Sequence, residues 1–143
     1  MIIVEREGVL AALYEEWDSL LALADELGPD DWERPTACPG WSVKDNYSHV
    51  IGTEMMLAGR DNPDVDVSGL THVRNDIGVF NEQWVEALRG ETPAEVLARF
   101  RKLSAARLAT LDAMSDDEWN AESFTPAGKD TFGRFMQIRV FDC

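Results

Sequence analysis

The chain has 143 residues, enough for one domain with a real core and too few for two comfortable ones. Thirteen basic against 27 acidic residues give a formal charge of −14 with no Lys/Arg cluster, so a nucleic-acid backbone or an anionic membrane is expected to be repelled. A hydrophobic content of 45 % excludes disorder and assigns the charge to a solvated shell.

The N-terminus lacks the basic start and apolar core of a signal peptide, and apolar stretches are only a few residues long, so a cytoplasmic location is expected. Cys38 and Cys143 are too few for a disulfide framework and are expected to be reduced.

The first predicted helix carries Leu10, Leu13, Tyr14, Trp17, Leu20, Leu21, Ala24 and Leu27 on one face, and Gly28-Pro29 stops it. Asp30 to Gly40 holds three breakers and no period, the pattern of an ordered connection. Ser42 with Asp45 three residues on forms a capping box, so a second helix runs from about Val43 to Arg60. Asp61 to Thr71 reads as a surface loop. A third helix is predicted from His72 to Arg89, with Val73, Ile77, Phe80, Trp84 and Leu88 inward. Thr92-Pro93-Ala94-Glu95 opens a fourth, with Leu97, Phe100, Ser104, Leu108 and Leu111 on one side, ending near Ser115. The last predicted helix runs from about Asp130 to Cys143 without a stop signal. Long helical blocks and no convincing alternating strand predict an all-α fold, an antiparallel four-helix bundle.

Two positions on this scaffold are chemically odd. On helix two, Glu54 falls among Val43, Tyr47, Val50 and Leu57, and His49 lies beside that face with Asn46, Thr53 and Met56. A carboxylate in apolar surroundings needs a partner, either a packing hydrogen bond or a metal-bound group. On the last helix Phe135, Arg139 and Asp142 share a side, where Arg139 and Asp142 form a local ion pair or, alternatively, Asp142 faces His49 across the bundle. An imidazole and a carboxylate suit a first-row divalent ion and need one more protein ligand. His72, at a loop-to-helix boundary, reads as a capping or surface residue, and Cys38 as structural, since Ala37 and Pro39 supply no base.

The run Asp31-Trp32, then Pro35-Thr36-Ala37-Cys38-Pro39-Gly40-Trp41, Ser42-Val43-Lys44-Asp45 and His49 through Glu54 resembles the N-terminal signature of the mycothiol-dependent maleylpyruvate isomerase family, within the wider DinB/YfiT-like superfamily of four-helix metal-binding proteins. Asn81-Glu82-Gln83-Trp84-Val85, Phe124 to Gly128 and Arg134 to Cys143 resemble actinobacterial members, so the likeness spans nearly the whole chain.

The resemblance implies a metal bound by a histidine on helix two and by an acidic residue and a histidine four apart on the last helix. His49 matches the first position; Asp142 matches the second, where the isomerases have glutamate. The second histidine would come one turn after Asp142, and the chain ends before it. Residues 1–143 are therefore expected to be a DinB-like metal-binding domain that is a fragment of a longer protein. Glu54 and Arg139 are expected to support the ligands or to pack.

The expected cofactors are a divalent metal, zinc first and nickel or another first-row ion next, and mycothiol. The expected function is activation of this low-molecular-weight thiol for isomerisation or S-transfer. The alternative is a non-enzymatic binding module with an incomplete metal site. Expected partners are a small-molecule thiol and a substrate, with no nucleic acid and no membrane, and homodimerisation is left open.

Overall fold

A computed structural model describes residues 1–143 and holds six helices, which take 59 % of the chain, and one β-hairpin. In order these are α1 (Arg6–Glu26), α2 (Val43–Leu57), α3 (Asp76–Leu88), α4 (Pro93–Ala113), α5 (Asp116–Trp119), β1 (Glu122–Thr125), β2 (Gly128–Thr131) and α6 (Phe132–Asp142). No helix is long and apolar enough to cross a membrane. The chain forms two compact units, one of Met1–Leu23 with Ala106–Cys143 and one of Ala24–Ala105.

Local side-chain chemistry decides where the helices begin. Ser42 Oγ accepts from Asp45 N at 3.2 Å while Asp45 Oδ2 accepts from Ser42 N at 2.9 Å, so the expected capping box starts α2. The box of Thr92 and Glu95, at 3.2 and 2.7 Å, opens α4 with Pro93 in its first turn. Two starts differ from expectation. Glu5 accepts from Glu7 N and Gly8 N, both at 2.7 Å, so α1 begins four residues before its first predicted apolar position, Leu10. Asn75, not His72, caps α3, its Oδ1 accepting from Gly78 N at 2.8 Å.

In the Ala24–Ala105 unit the buried apolar residues are Ala24, Trp32, Tyr47, Val50, Ile51, Val67, Trp84, Val85, Leu88, Val96 and Phe100. Tyr47 joins Trp32, with ring centroids at 5.2 Å, to Phe100, edge-on at 6.1 Å. Desolvation pushes the Tyr47 phenol up to about 12, so it stays protonated at neutral pH. The loop between α2 and α3 is pinned by Asn62, which accepts from Trp84 Nε1 at 3.0 Å and donates to Gln83 Oε1 at 2.8 Å. On α3 Trp84 and Leu88 are buried as expected, but Ile77 is 49 % exposed and Glu82 is buried beside them with Val85.

In the other unit, Leu10, Leu13, Trp17, Leu111, Trp119, Phe135 and Met136 are buried. Arg107 takes the core position that the pattern gave to Leu108, which is 39 % exposed. Ser115 and Glu118 form a third capping box, and the four-residue α5 delivers Trp119, whose Nε1 donates to Val4 O at 2.9 Å.

The hairpin is the element that the sequence reading lacked. β1 and β2 pair antiparallel from Glu122 opposite Thr131 to Thr125 opposite Gly128, and Pro126-Ala127 make the loop. Gly128, at φ 106°, closes it, and Thr125 Oγ1 donates to Gly128 O at 2.8 Å. Residues 130 and 131 are therefore strand, and Thr131 caps α6 through Arg134 N at 3.1 Å. Four-residue strands are too short to show alternation, so the helical period of α6 swallowed β2 in the sequence reading.

The α2–α3 packing is tight at one glycine. A Cβ on Gly52 would lie 2.5 Å from Trp84 Cγ and 2.6 Å from Trp84 Cβ, close to the backbone where the indole cannot swing away. Alanine in a helix interior ordinarily gains about 1 kcal/mol over glycine, but overpacking costs about 1–3 kcal/mol. Gly52→Ala is thus expected to destabilise the protein despite its better helix propensity, as read by the thermal midpoint.

Acid should act on the caps. The backbone N–H of Thr92 holds Glu95, and that of Ser115 holds Glu118, below the ordinary carboxylate range. Both folded values lie below the unfolded ones, so their stabilisation is complete above the ordinary range and is lost as pH falls through it to the depressed values. The combined variant Glu95→Gln with Glu118→Gln should lose less of its thermal midpoint between neutral and acid pH than the parent does; parallel losses would count against the caps.

Candidate functional site

The site begins in the connection before α2. Val43 N donates to Arg34 O at 3.0 Å and Lys44 N to Trp32 O at 2.9 Å, which lays the 32–36 strand of loop along the helix start. Thr36 bonds Trp41 O through both its N, at 3.1 Å, and its Oγ1, at 3.0 Å. The chain reverses within Cys38-Pro39-Gly40-Trp41, where Trp41 N donates to Cys38 O at 3.1 Å. Proline sets the second position of such a turn and glycine supplies the positive φ of the third, here 77°.

That turn projects Trp41 to His49. The indole and imidazole centroids are 5.1 Å apart with planes inclined by 36°, and His49 is only 9 % exposed. Trp41 Nε1 donates to Glu82 Oε2 at 2.6 Å. Glu82 is 1 % exposed, and its carboxylate also meets His72 Nε2 at 3.0 Å and Arg89 NH2 at 3.2 Å. Arg89 reaches Asp45 at 3.6 Å and Glu86 at 3.4 Å as well. A carboxylate removed from water is tolerated only when fully hydrogen-bonded, and three donors achieve that here.

His72 is therefore neither the cap nor the surface residue the sequence suggested; its side chain is 23 % exposed and paired with Glu82. The clue was available in Glu82, which shares a helical face with Val85 and Arg89, the same anomaly that drew attention to Glu54. Asn46 ties the turn to α2, donating to Thr36 Oγ1 at 3.1 Å and Ser42 O at 2.9 Å. Its Oδ1 accepts from the exposed Cys38 thiol at 3.4 Å, an amide partner that does not activate a nucleophile.

The other singled-out residues are placed as follows. Glu54 is 2 % exposed on α2, as its apolar setting required. Arg139 is 1 % exposed on α6 and forms the anticipated ion pair with Asp142, whose side chain is 46 % exposed; its NH2 also lies 3.8 Å from Cys143 Sγ. His49 belongs to the Ala24–Ala105 unit and Asp142 to the other. As donors they offer one imidazole nitrogen and one carboxylate, types that suit a first-row divalent ion. No group of three or more His, Cys, Asp or Glu is set to hold a metal, so no three-ligand set is assembled.

Solved structures establish the fold class. The mycothiol-dependent maleylpyruvate isomerase matches with a TM-score of 0.74 at 12 % identity over 97 % of this chain and 57 % of its own. An uncharacterised protein from Escherichia coli UTI89 matches at 0.68 and 14 % identity, over 99 % and 87 %. The colibactin self-resistance protein ClbS, solved in complex with a dsDNA, matches at 0.65 and 17 % identity, over 98 % and 89 %. These are mostly helical proteins of the DinB/YfiT-like kind, and the present chain shares that fold. A search of curated proteins finds no match. The family model for the mycothiol maleylpyruvate isomerase N-terminal domain matches residues 13–143, and the chain belongs to that family. It spans little more than half the length of the isomerase, at 57 %.

The ClbS complex corrects one expectation. A net charge of −14 was read as excluding nucleic acid, yet a protein of this fold holds duplex DNA. Net charge is a sum over the whole surface, whereas phosphate contact depends on where the individual charges stand. The exclusion is withdrawn.

The turn itself is testable. A Cβ on Gly40 would lie 2.8 Å from His72 Cε1, at a φ that L-residues enter at a cost of about 1–2 kcal/mol. Gly40→Ala should lower stability by at least about 1 kcal/mol and displace the His72 ring, seen as a lower thermal midpoint with shifted His72 ring-proton resonances. Unshifted resonances would mean that the turn and the ring do not touch.

Proposed function

We propose that this chain is the divalent-metal-binding domain of a mycothiol-dependent isomerase or thiol S-transferase. The observation that carries the reading is the buried His49 imidazole, held against Trp41 at the motif position of a chain whose family is named for that isomerase. By the family pattern His49 is the candidate ligand on α2 and Asp142, ion-paired with Arg139, the candidate on α6, with zinc first and nickel or another first-row ion as alternatives. A divalent cation, when bound, favours the thiolate form of a low-molecular-weight thiol at neutral pH. Mycothiol would be the thiol concerned, as the family's name suggests.

The chain's own residues have definable parts in this. Burial keeps water from competing for the His49 nitrogen, and the Trp41 face limits rotation of the ring. Arg139, buried and ion-paired with Asp142, holds that carboxylate in place. Glu54, buried on α2 one turn beyond Val50, would support or pack against the helix segment that carries His49. The isomerase is longer than the matched region, so the domain would supply the metal-binding part of an activity completed elsewhere in the protein.

Calorimetric zinc titration tests the reading. The parent chain is expected to bind about one ion, and His49→Ala to bind none; Asp142→Ala should weaken binding at least about tenfold. Zinc at a hundredfold excess over its dissociation constant should add about 2.7 kcal/mol of stability to the parent alone. Equal affinity in the parent and His49→Ala would remove His49 from the site.

A further inference from the structure

We propose that Glu82 is a positioning residue for His49 and acts through Trp41. The geometry stands on its own; only its consequence for metal affinity rests on the reading of His49 as a ligand. Glu82 is 1 % exposed, and its three donors come from three separate segments: Trp41 from the turn before α2, His72 from the loop before α3, and Arg89 from the end of α3. Trp41 and His72 share Oε2, while Arg89 takes Oε1. With both oxygens engaged the carboxylate cannot rotate, and the indole N–H has one place to go.

An indole has a single N–H and two side-chain torsions, so fixing Nε1 fixes the plane of the ring. That plane meets His49 at a centroid distance of 5.1 Å. The indole face thereby limits the orientations open to the imidazole. Gly40 contributes by having no Cβ, which lets His72 lie against the turn and reach Oε2. Arg89 belongs to the end of the same helix, so Trp41 and His72 are the partners that tie Glu82 to other segments. The bond to Trp41 serves the ring on which His49 rests.

The test uses aromatic NMR and zinc titration of the parent, Glu82→Gln and Glu82→Asp. The chain has only two histidines, so comparison with His49→Ala assigns the ring signals. In the parent, the His49 ring protons should be displaced by the indole ring current, and the Trp41 Nε1 proton should resonate downfield as a carboxylate-bound donor. In both variants these signals should move toward those of free histidine and free indole, with helical circular dichroism retained, and zinc affinity should fall about tenfold.

Unmoved His49 signals in a folded variant, or a parent without the ring-current displacement, would overturn the proposal. A parent that binds no zinc would overturn the metal reading alone, and the NMR signals would still decide the role of Glu82. Unchanged zinc affinity in a variant whose His49 ring had moved would break the step from ring orientation to ligation.

Discussion

The buried carboxylate of Glu82 is the constraint on which the Ala24–Ala105 unit turns. A carboxylate removed from water must recover its lost hydration from protein donors, and only one of the three here, Arg89, comes from the same helix. Glu82 therefore draws in the turn before α2, the loop before α3 and the end of α3. Segments that carry little regular structure become specific parts of the unit because each holds one donor that this carboxylate requires.

Around that centre the apolar packing is unusually dependent on two glycines. Gly52 lets Trp84 lie on α2, and Gly40 lets His72 lie on the Cys38–Trp41 turn. In both places a missing Cβ is traded for an aromatic ring, so the backbone is brought close to a large flat side chain. Trp84 then holds Asn62 and the loop that follows α2, while His72 holds Glu82. The hydrogen bonds fix direction and the rings supply buried area, and neither would place His49 alone.

The second unit is organised differently. Its hairpin and N-terminal segment are stitched by side chains to backbone: Thr131 Oγ1 donates to Ile2 O at 2.6 Å, Asp130 accepts from Ile2 N at 2.6 Å and Trp119 Nε1 donates to Val4 O. These bonds hold the residues on either side of α5 and lead directly into α6, the helix of Arg139 and Asp142. Here a buried arginine meets a half-exposed carboxylate, the reverse of the arrangement at Glu82.

Local chemistry was legible in the amino-acid sequence wherever neighbouring residues decide the outcome. The capping boxes at Ser42 and Thr92, the period of α1, the burial of Glu54 and the Arg139–Asp142 pair all depend on residues within a turn or two of one another. The motif around Trp41 and His49 carries the family likeness within one continuous stretch of sequence. Tertiary structure decided the rest of the Glu82 cluster: Arg89 lies 7 residues on along the same helical face, but Trp41 and His72 lie 41 and 10 residues away and no periodic pattern relates them to it. It also decided that Glu82 is buried on α3 while Ile77 is exposed, and it decided the hairpin, whose strands become stable only by pairing with each other.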